Sequence, residues 1–159
     1  AWKEFPNLAD FSSPFVLDRW EGSAQRDLSP PVVAGGEESM RVQFGCELYS
    51  GIFIDRMPRN WSVYKTLSLD FYLPESVPLD LTCRIHDIEH TAGEQKYSDR
   101  FNRTLHLVPG LNRIEISLAE VRQAPHDREL DLRHIAGLGL FTTGLALPRT
   151  LFVQNIQLR

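Results

Sequence analysis

The chain is poor in cysteine, has no excess of basic residues and contains no long apolar run, and each lack closes off a class of function. Its two cysteines, Cys46 and Cys83, fall short of the roughly four well-spaced Cys or His ligands of a structural zinc site. Lys and Arg number 17 against 21 Asp and Glu, a formal net charge of −4. That balance supplies no general attraction to phosphate backbones or anionic lipid, so no nucleic-acid partner is expected. No run approaches the roughly 20 apolar residues that cross a bilayer as a helix. The start, Ala1-Trp2-Lys3-Glu4, has neither an initiator Met nor the apolar core of a signal peptide, which predicts a mature or excised piece of a longer protein. A membrane anchor or a catalytic domain could lie outside this stretch.

Catalytic signatures are equally sparse. Gly137-Leu138-Gly139-Leu140-Phe141 lacks the Gly-x-Gly-x-x-Gly spacing and the following helix of a phosphate loop and reads as a buried strand with close neighbours. Ser98, His86 and Asp87 supply the residue types of a nucleophilic triad, yet no serine sits in a Gly-x-Ser-x-Gly elbow. Asp70, Asp87 and Asp99 offer carboxyl pairs, but nothing marks one as the raised-pKa acid that glycoside hydrolysis requires. No enzyme activity is expected.

What is present is a globular composition, 42% hydrophobic and 24% charged over 159 residues, which suits a single domain spanning residues 1–159. Its organising signal is alternation. In Leu67–Leu73 the residues Leu67, Leu69, Phe71 and Leu73 oppose Ser68, Asp70 and Tyr72; in Leu79–Ile85 the residues Leu79, Leu81, Cys83 and Ile85 oppose Asp80, Thr82, Arg84 and, just beyond, His86. Such a period of two marks strands with one buried face. Arg100–Leu107 continues it, with Phe101, Leu105 and Leu107 against Arg100, Asn102, Thr104 and His106. If the three share a sheet, Asp70, Tyr72, Arg84, His86, Arg100 and Asn102 share a polar face. Further strands are predicted over Phe15–Trp20, Met40–Phe44, Gly51–Asp55, Arg113–Leu118, Ile135–Thr142 and Leu151–Leu158, punctuated by Pro and Gly turns. Only Leu118–Gln123 and Asp131–Ile135 look helical, as single turns. The fold class that follows is all-β, an antiparallel two-sheet sandwich or jelly roll. Cys46 and Cys83 both keep phase with apolar neighbours, so two readings stand: buried thiols acting as small hydrophobes, or a disulfide formed in an oxidising compartment.

The series Leu67-Ser68-Leu69-Asp70-Phe71-Tyr72-Leu73, Leu81-Thr82-Cys83-Arg84-Ile85-His86-Asp87, Tyr97-Ser98-Asp99-Arg100-Phe101-Asn102, Pro109-Gly110-Leu111-Asn112 and the closing Leu151-Phe152-Val153-Gln154-Asn155-Ile156-Gln157-Leu158 resembles bacterial carbohydrate-binding-module-like jelly rolls. Similar domains occur attached to VanZ-like membrane proteins and to glycan enzymes. The resemblance implies a galactose-binding-like sandwich, located outside the cytoplasm, that binds an oligosaccharide or polysaccharide without catalysis. Family members hold a structural calcium near the junction of the first and last strands, often with a closing Asp-Asn. Here the pair is Gln154-Asn155. Asp10 and Asn155 remain as donors, too few for the 6–8 oxygens that calcium takes, and no cofactor is expected. His86 and His90 have the spacing of a helical metal pair, but one ends a strand and the other reads as loop.

The candidate ligand site combines Arg84, His86, Asp87, Arg100 and Asn102 for sugar hydroxyls with Tyr72, Tyr97 and Trp61 for the C–H patches of sugar rings. A competing reading pairs Asp87 and Asp99 with Arg100 or Arg103 to hold a loop, lets Tyr97 cap a core edge, and packs Trp61 and Tyr64 over the end of the sandwich. Arg122–Arg133 mixes signs and reads as a solvated loop. The alternative function is a protein-interaction or structural sandwich of a larger membrane-associated protein.

Overall fold

Two antiparallel sheets face one another across a single apolar cluster, in the arrangement of a jelly-roll β-sandwich. The structure, a computed structural model, describes residues 7–159. The elements are β1 (Asn7–Asp10), α1 (Pro14–Leu17), β2 (Trp20–Glu21), β3 (Gln25–Ser29), β4 (Ser39–Phe44), β5 (Tyr49–Ile54), β6 (Thr66–Leu73), β7 (Leu79–Asp87), α2 (Ile88–Ala92), β8 (Phe101–Leu107), β9 (Gly110–Ser117), α3 (Leu118–Gln123), β10 (Ile135–Thr143) and β11 (Arg149–Leu158). The first sheet runs β3-β4-β11-β6-β9, with β1 also on β11, and the second runs β2-β5-β10-β7-β8. Inward positions of both sheets fill the core: Leu69 and Phe71 from β6, Leu81, Cys83 and Ile85 from β7, Leu105 from β8 and Ile116 from β9 are all buried, with Ile114 partly so. The alternation that defines these strands thus marks the faces that leave water.

The connectivity corrects the expected shared face. β7 and β8 do pair, Arg84 opposite Asn102, but β6 lies in the other sheet between β11 and β9. Strands joined by short links in a jelly roll usually cross between sheets, and β6 to β7 is such a crossing. Asp70 and Tyr72 therefore stand on the outer surface of the first sheet, where Asp70 is 3.9 Å from Arg113 and the Tyr72 ring is 6.3 Å from that of Phe152.

Other local expectations change for physical reasons. Phe15–Trp20 opens as the helical turn α1, with proline at its first turn, where the preset φ suits a helix start; extended chain is confined to Trp20–Glu21. Asp131–Ile135, by contrast, is the single turn expected: His134 closes it onto the Asp131 carbonyl, and Ile135 already begins β10. β4 ends at Phe44, so Cys46 loses strand phase and is exposed while Cys83 is buried, and both are free thiols. Burial pushes the Cys83 thiol up to about 12. β1 and the polar edge strand β3 carry no alternation long enough to read.

Candidate functional site

Three antiparallel ladders bring the outward residues of β5, β10, β7 and β8 into rows across the second sheet. Phe53 lies opposite Gly139, Gly139 opposite Arg84, and Arg84 opposite Asn102. The next row reads Gly51, Phe141, Thr82, Thr104. The repeated triplets Gly51-Ile52-Phe53 and Gly139-Leu140-Phe141 run antiparallel, so each glycine faces the other strand's phenylalanine. A Cβ on Gly51 would stand 2.5 Å from Phe141 Cβ and 2.6 Å from the Leu140 carbonyl oxygen. Glycine keeps the floor low there, and the rings rise beside it.

Above this floor is a groove of about 660 Å³, walled by Tyr49, Phe53, Phe141 and Tyr97 with Arg84, Arg100, Arg103 and Asn102 among its polar lining. A second hollow of about 380 Å³ shares Phe53, Arg84 and Gly139 and continues over His86, Gly137, Asp55 and Arg59. Phe53 is 43% exposed, Tyr49 64% and Tyr97 67%, so three rings offer accessible faces or edges. Gly22 closes one side at φ +130°, a backbone region that disfavours a side chain, and a Cβ there would collide with the Gly51 carbonyl oxygen.

The two groove arginines are held differently. Arg100 donates from Nε to Asn102 Oδ1 at 2.9 Å, its guanidinium lies 5.3 Å from the Tyr97 ring centre, and Asn102 Nδ2 donates to the Tyr97 carbonyl at 3.0 Å. Arg84 has no hydrogen bond or ion pair among the described residues. Burial lowers the pKa of both, and for Arg100 the Arg84 charge adds to it. His86 sits over Gly137, with its Nδ1 buried and unpartnered. Burial, helped by the charges of Arg84, His90 and Arg100, holds its pKa down to about 4, so the ring is neutral at pH 7.

Of the residues predicted as ligand contacts, Arg84, His86, Tyr97, Arg100 and Asn102 meet at this groove or its continuation. Three do not. Tyr72 is on the opposite sheet. Trp61 is 0% exposed, donates its indole N–H to the Pro58 carbonyl at 2.9 Å and has no face for a ligand. Asp87, also 0% exposed, has both oxygens engaged: Oδ1 accepts from His90 N and Arg128 Nη2, each at 2.9 Å, and Oδ2 from Arg128 Nη1 at 2.7 Å and Asp131 N at 2.8 Å. Burial alone would raise its pKa, but the Arg128 and backbone bonds outweigh that and hold it down to about 2. Asp99 accepts from Arg128 Nε at 2.8 Å and from Nη2 at 3.1 Å. The expected loop-fixing pairing is real in kind, with Arg128 as the partner instead of Arg100 or Arg103. Arg128 belongs to the stretch expected to be a solvated loop, yet its side chain is largely buried.

His90 lies in α2, not in a loop, and its Nδ1 donates to Asp99, 3.1 Å from the carbonyl and 3.3 Å from the carboxylate. Its ring centre is 5.3 Å from that of His86. Asp10 and Asn155 do face one another across β1 and β11, and Asp10 Oδ1 accepts from Ser12 N and Oγ. Among the described residues no three or more His, Cys, Asp or Glu side chains gather in a metal-binding group. The sequence reading does not count Tyr49, Phe53 or Phe141 as ligand contacts and gives Arg103 only as a loop-fixing partner; the doubled Gly-x-Phe triplet is the signal that points to the two phenylalanines.

The chain matches no protein-family profile and no curated protein sequence. Solved structures do resemble it. An exo-β-agarase superposes with a TM-score of 0.75 at 16% identity over 96% of this chain and 24% of the agarase chain. The N-terminal endo-1,4-β-D-xylanase 10B of Clostridium thermocellum, complexed with xylohexaose, gives 0.64 at 10% identity over 96% of this chain and 28% of that one. The chain thus spans about a quarter of these enzymes. A family 11 carbohydrate-binding module from Clostridium thermocellum, complexed with a β-1,3-1,4-mixed-linked tetrasaccharide, is covered over 93% of its length and 96% of this chain, with TM-score 0.65 and 17% identity. At these identities the likeness is one of fold: this chain has the β-sandwich found in carbohydrate-binding modules and in glycoside hydrolase chains.

Proposed function

We propose that the chain is a non-catalytic carbohydrate-binding module that recognises a cell-surface or extracellular glycan through the outer face of its second sheet. The observation that carries this reading is the row Phe53, Gly139, Arg84, Asn102, in which a half-exposed ring, a low floor, a guanidinium and an amide stand side by side. A pyranose presents C–H patches on its faces and hydroxyls at its rim. An aromatic wall meets the first and forked donors meet the second. The groove is elongated by the second hollow, which suits a chain of sugars more than a single one.

Lining residues support the non-catalytic reading too. Hydrolysis of a glycosidic bond uses two carboxyl groups about 5–9.5 Å apart, and among the described residues the larger groove is lined by no Asp or Glu. The similar fold within longer agarase and xylanase chains supports a role as one module of a larger protein that works outside the cytoplasm. A protein-docking role would suit a flat apolar patch of several hundred square ångströms; a groove that interleaves rings with arginines and threonines favours a glycan. Affinity electrophoresis of the purified chain through gels loaded with polysaccharides tests the reading. Retardation that Phe53→Ala or Phe141→Ala removes and Tyr72→Ala leaves intact is expected. Retardation that only Tyr72→Ala removes would move the site to the opposite sheet.

A further inference from the structure

The charge of the groove is opposite to the charge of the chain. Along its length lie Arg59, Arg84, Arg100 and Arg103 with one carboxylate, Asp55, in a protein whose formal net charge is −4. Arg103 has a carboxylate neighbour outside the groove, Glu120 at 3.7 Å. Arg84 has none, and Arg100 uses Nε for the neutral amide of Asn102, so no described carboxylate pairs with either. Both border Asn102, one as its ladder partner and the other as its hydrogen-bond donor. Two like charges are thereby brought together in a half-buried site, an arrangement that raises the energy of the empty groove.

Resting on the glycan-binding reading above, we infer that the groove selects an anionic polysaccharide, one whose sugars bear carboxylate or sulfate groups, and seats an anionic substituent between Arg84 and Arg100. The reason lies in donor and acceptor balance. A neutral sugar offers hydroxyls that donate as well as accept, and sites for it gain from carboxylate acceptors. Here the charged lining of the larger groove consists of guanidiniums, which only donate. A ligand rich in acceptors and negative charge satisfies that lining, and a planar carboxylate or a sulfate oxygen pair matches the guanidinium fork. The same anion relieves the repulsion between Arg84 and Arg100, two charges that burial already disfavours. His86, neutral beside them, adds no competing positive charge at pH 7.

The test compares each anionic polymer with its own neutralised backbone, so that only the charge changes. Polygalacturonate and its carboxyl-reduced form make one pair; a sulfated galactan and its desulfated form make the other. The wild-type chain is measured by affinity electrophoresis and calorimetry at low and high sodium chloride, and a polyglutamate arm probes binding to any polyanion. The expected result is at least tenfold tighter binding to one anionic member than to its neutral partner, weakened by salt, with the pair that shows it naming carboxylate or sulfate. Arg84→Gln and Arg100→Gln should each erase most of that preference, while Arg113→Gln on the opposite sheet leaves it. Equal binding of charged and neutral backbones overturns the anionic inference and leaves the glycan reading standing. Equal retention by polyglutamate overturns it as well, by making the groove a general polyanion surface. No retention by any polysaccharide, charged or neutral, overturns the glycan reading and this inference with it. The wild-type comparison decides the matter even where a variant fails to fold.

Discussion

Arg84 and Arg128 both belong with β7, the first as one of its residues and the second through Asp87 at its end, and their surroundings could hardly differ more. Arg128 has carboxylate oxygens from Asp87, Asp99 and Glu89 within 3.2 Å, and the hydrogen bonds it donates to Asp87 and Asp99 drive its pKa above the ordinary arginine value. Arg84 faces a groove with no partner among the described residues. The first arginine is a fastener: it ties the end of β7 and the start of α2 to the 124–134 connection and, through Asp99, to the turn that presents Tyr97 and Arg100. The second is available. The difference teaches that a half-buried cation whose acceptors are all supplied by the fold serves the fold, whereas one left without acceptors is set for something that arrives from outside.

The largest expected effect comes from breaking the fastener. Arg128→Ala leaves Asp87 buried without its counter-charge, and removal of one partner of a buried pair costs about 3–5 kcal/mol. Chemical denaturation measures it, and a shift below about 1 kcal/mol would put Asp87 in a wetter site than its full burial indicates. Acid probes the same unit. The Asp87 carboxyl is held down to about 2 against an ordinary 3.8, so its contribution is fully present above the ordinary value and is lost as the pH falls through about 2. An Arg128→Ala melt should lack that step.

Next in size is the core behind β7. Leu81 is fully buried on β7, on the face opposite Arg84, and Leu81→Ala should cost about 2–5 kcal/mol through lost burial and the cavity left behind. On the proposed glycan reading, binding by the surviving folded fraction should persist, because Leu81 belongs to the core and lines neither hollow. A loss of affinity larger than the loss of stability would mean that the strand itself shifts.

These particular residues also show what a sequence can reveal. Strands β6 to β9 are legible because one face of each is buried, and burial writes alternation into the chain. Which sheet each strand joins is not written there: Tyr72 and Arg84 keep the same phase along consecutive strands, yet the crossing from β6 to β7 puts them on opposite sides of the molecule. Arg84, His86, Tyr97, Arg100 and Asn102 come together because β7 and β8 pair directly and the link between them is local. Phe53 and Phe141 come from strands separated by most of the chain, and only register unites them. Arg128 is invisible for the same reason, since its two main carboxylates lie 41 and 29 positions away and its own stretch looks like ordinary solvated charge.

The third effect inverts the sign of the first. Arg84→Ala removes a desolvated charge that repels Arg100, so the melting temperature should hold or rise, in contrast to the collapse expected of Arg128→Ala. On the proposed glycan reading, affinity for the polysaccharide should fall by about 1.5–3 kcal/mol, the range for a hydrogen bond to a charged group, a factor of roughly 10–150 in Kd. Calorimetry beside a melt separates the two quantities. A destabilised Arg84→Ala with unchanged affinity would make both arginines structural and abolish the distinction between them.

The smallest effect sharpens the contrast, because it trades the two quantities at one atom. Gly139 occupies the groove floor between Phe53 and Arg84, and a Cβ there meets only ordinary contacts, the Ile52 carbonyl oxygen at 3.8 Å and Phe53 Cβ at 3.9 Å. Glycine within a strand costs about 0.5–1 kcal/mol relative to alanine through its greater freedom in the unfolded chain. Gly139→Ala should therefore raise stability by an amount of that order. On the proposed glycan reading the added methyl raises the groove floor beside Phe53, so affinity should drop at the same time. Gly51→Ala is the contrasting case: its Cβ would stand 2.5 Å from Phe141 Cβ, and stability should fall. If Gly139→Ala instead binds as well as the wild type while melting higher, the floor is deeper than the ligand reaches, and recognition belongs to the arginine end of the groove alone.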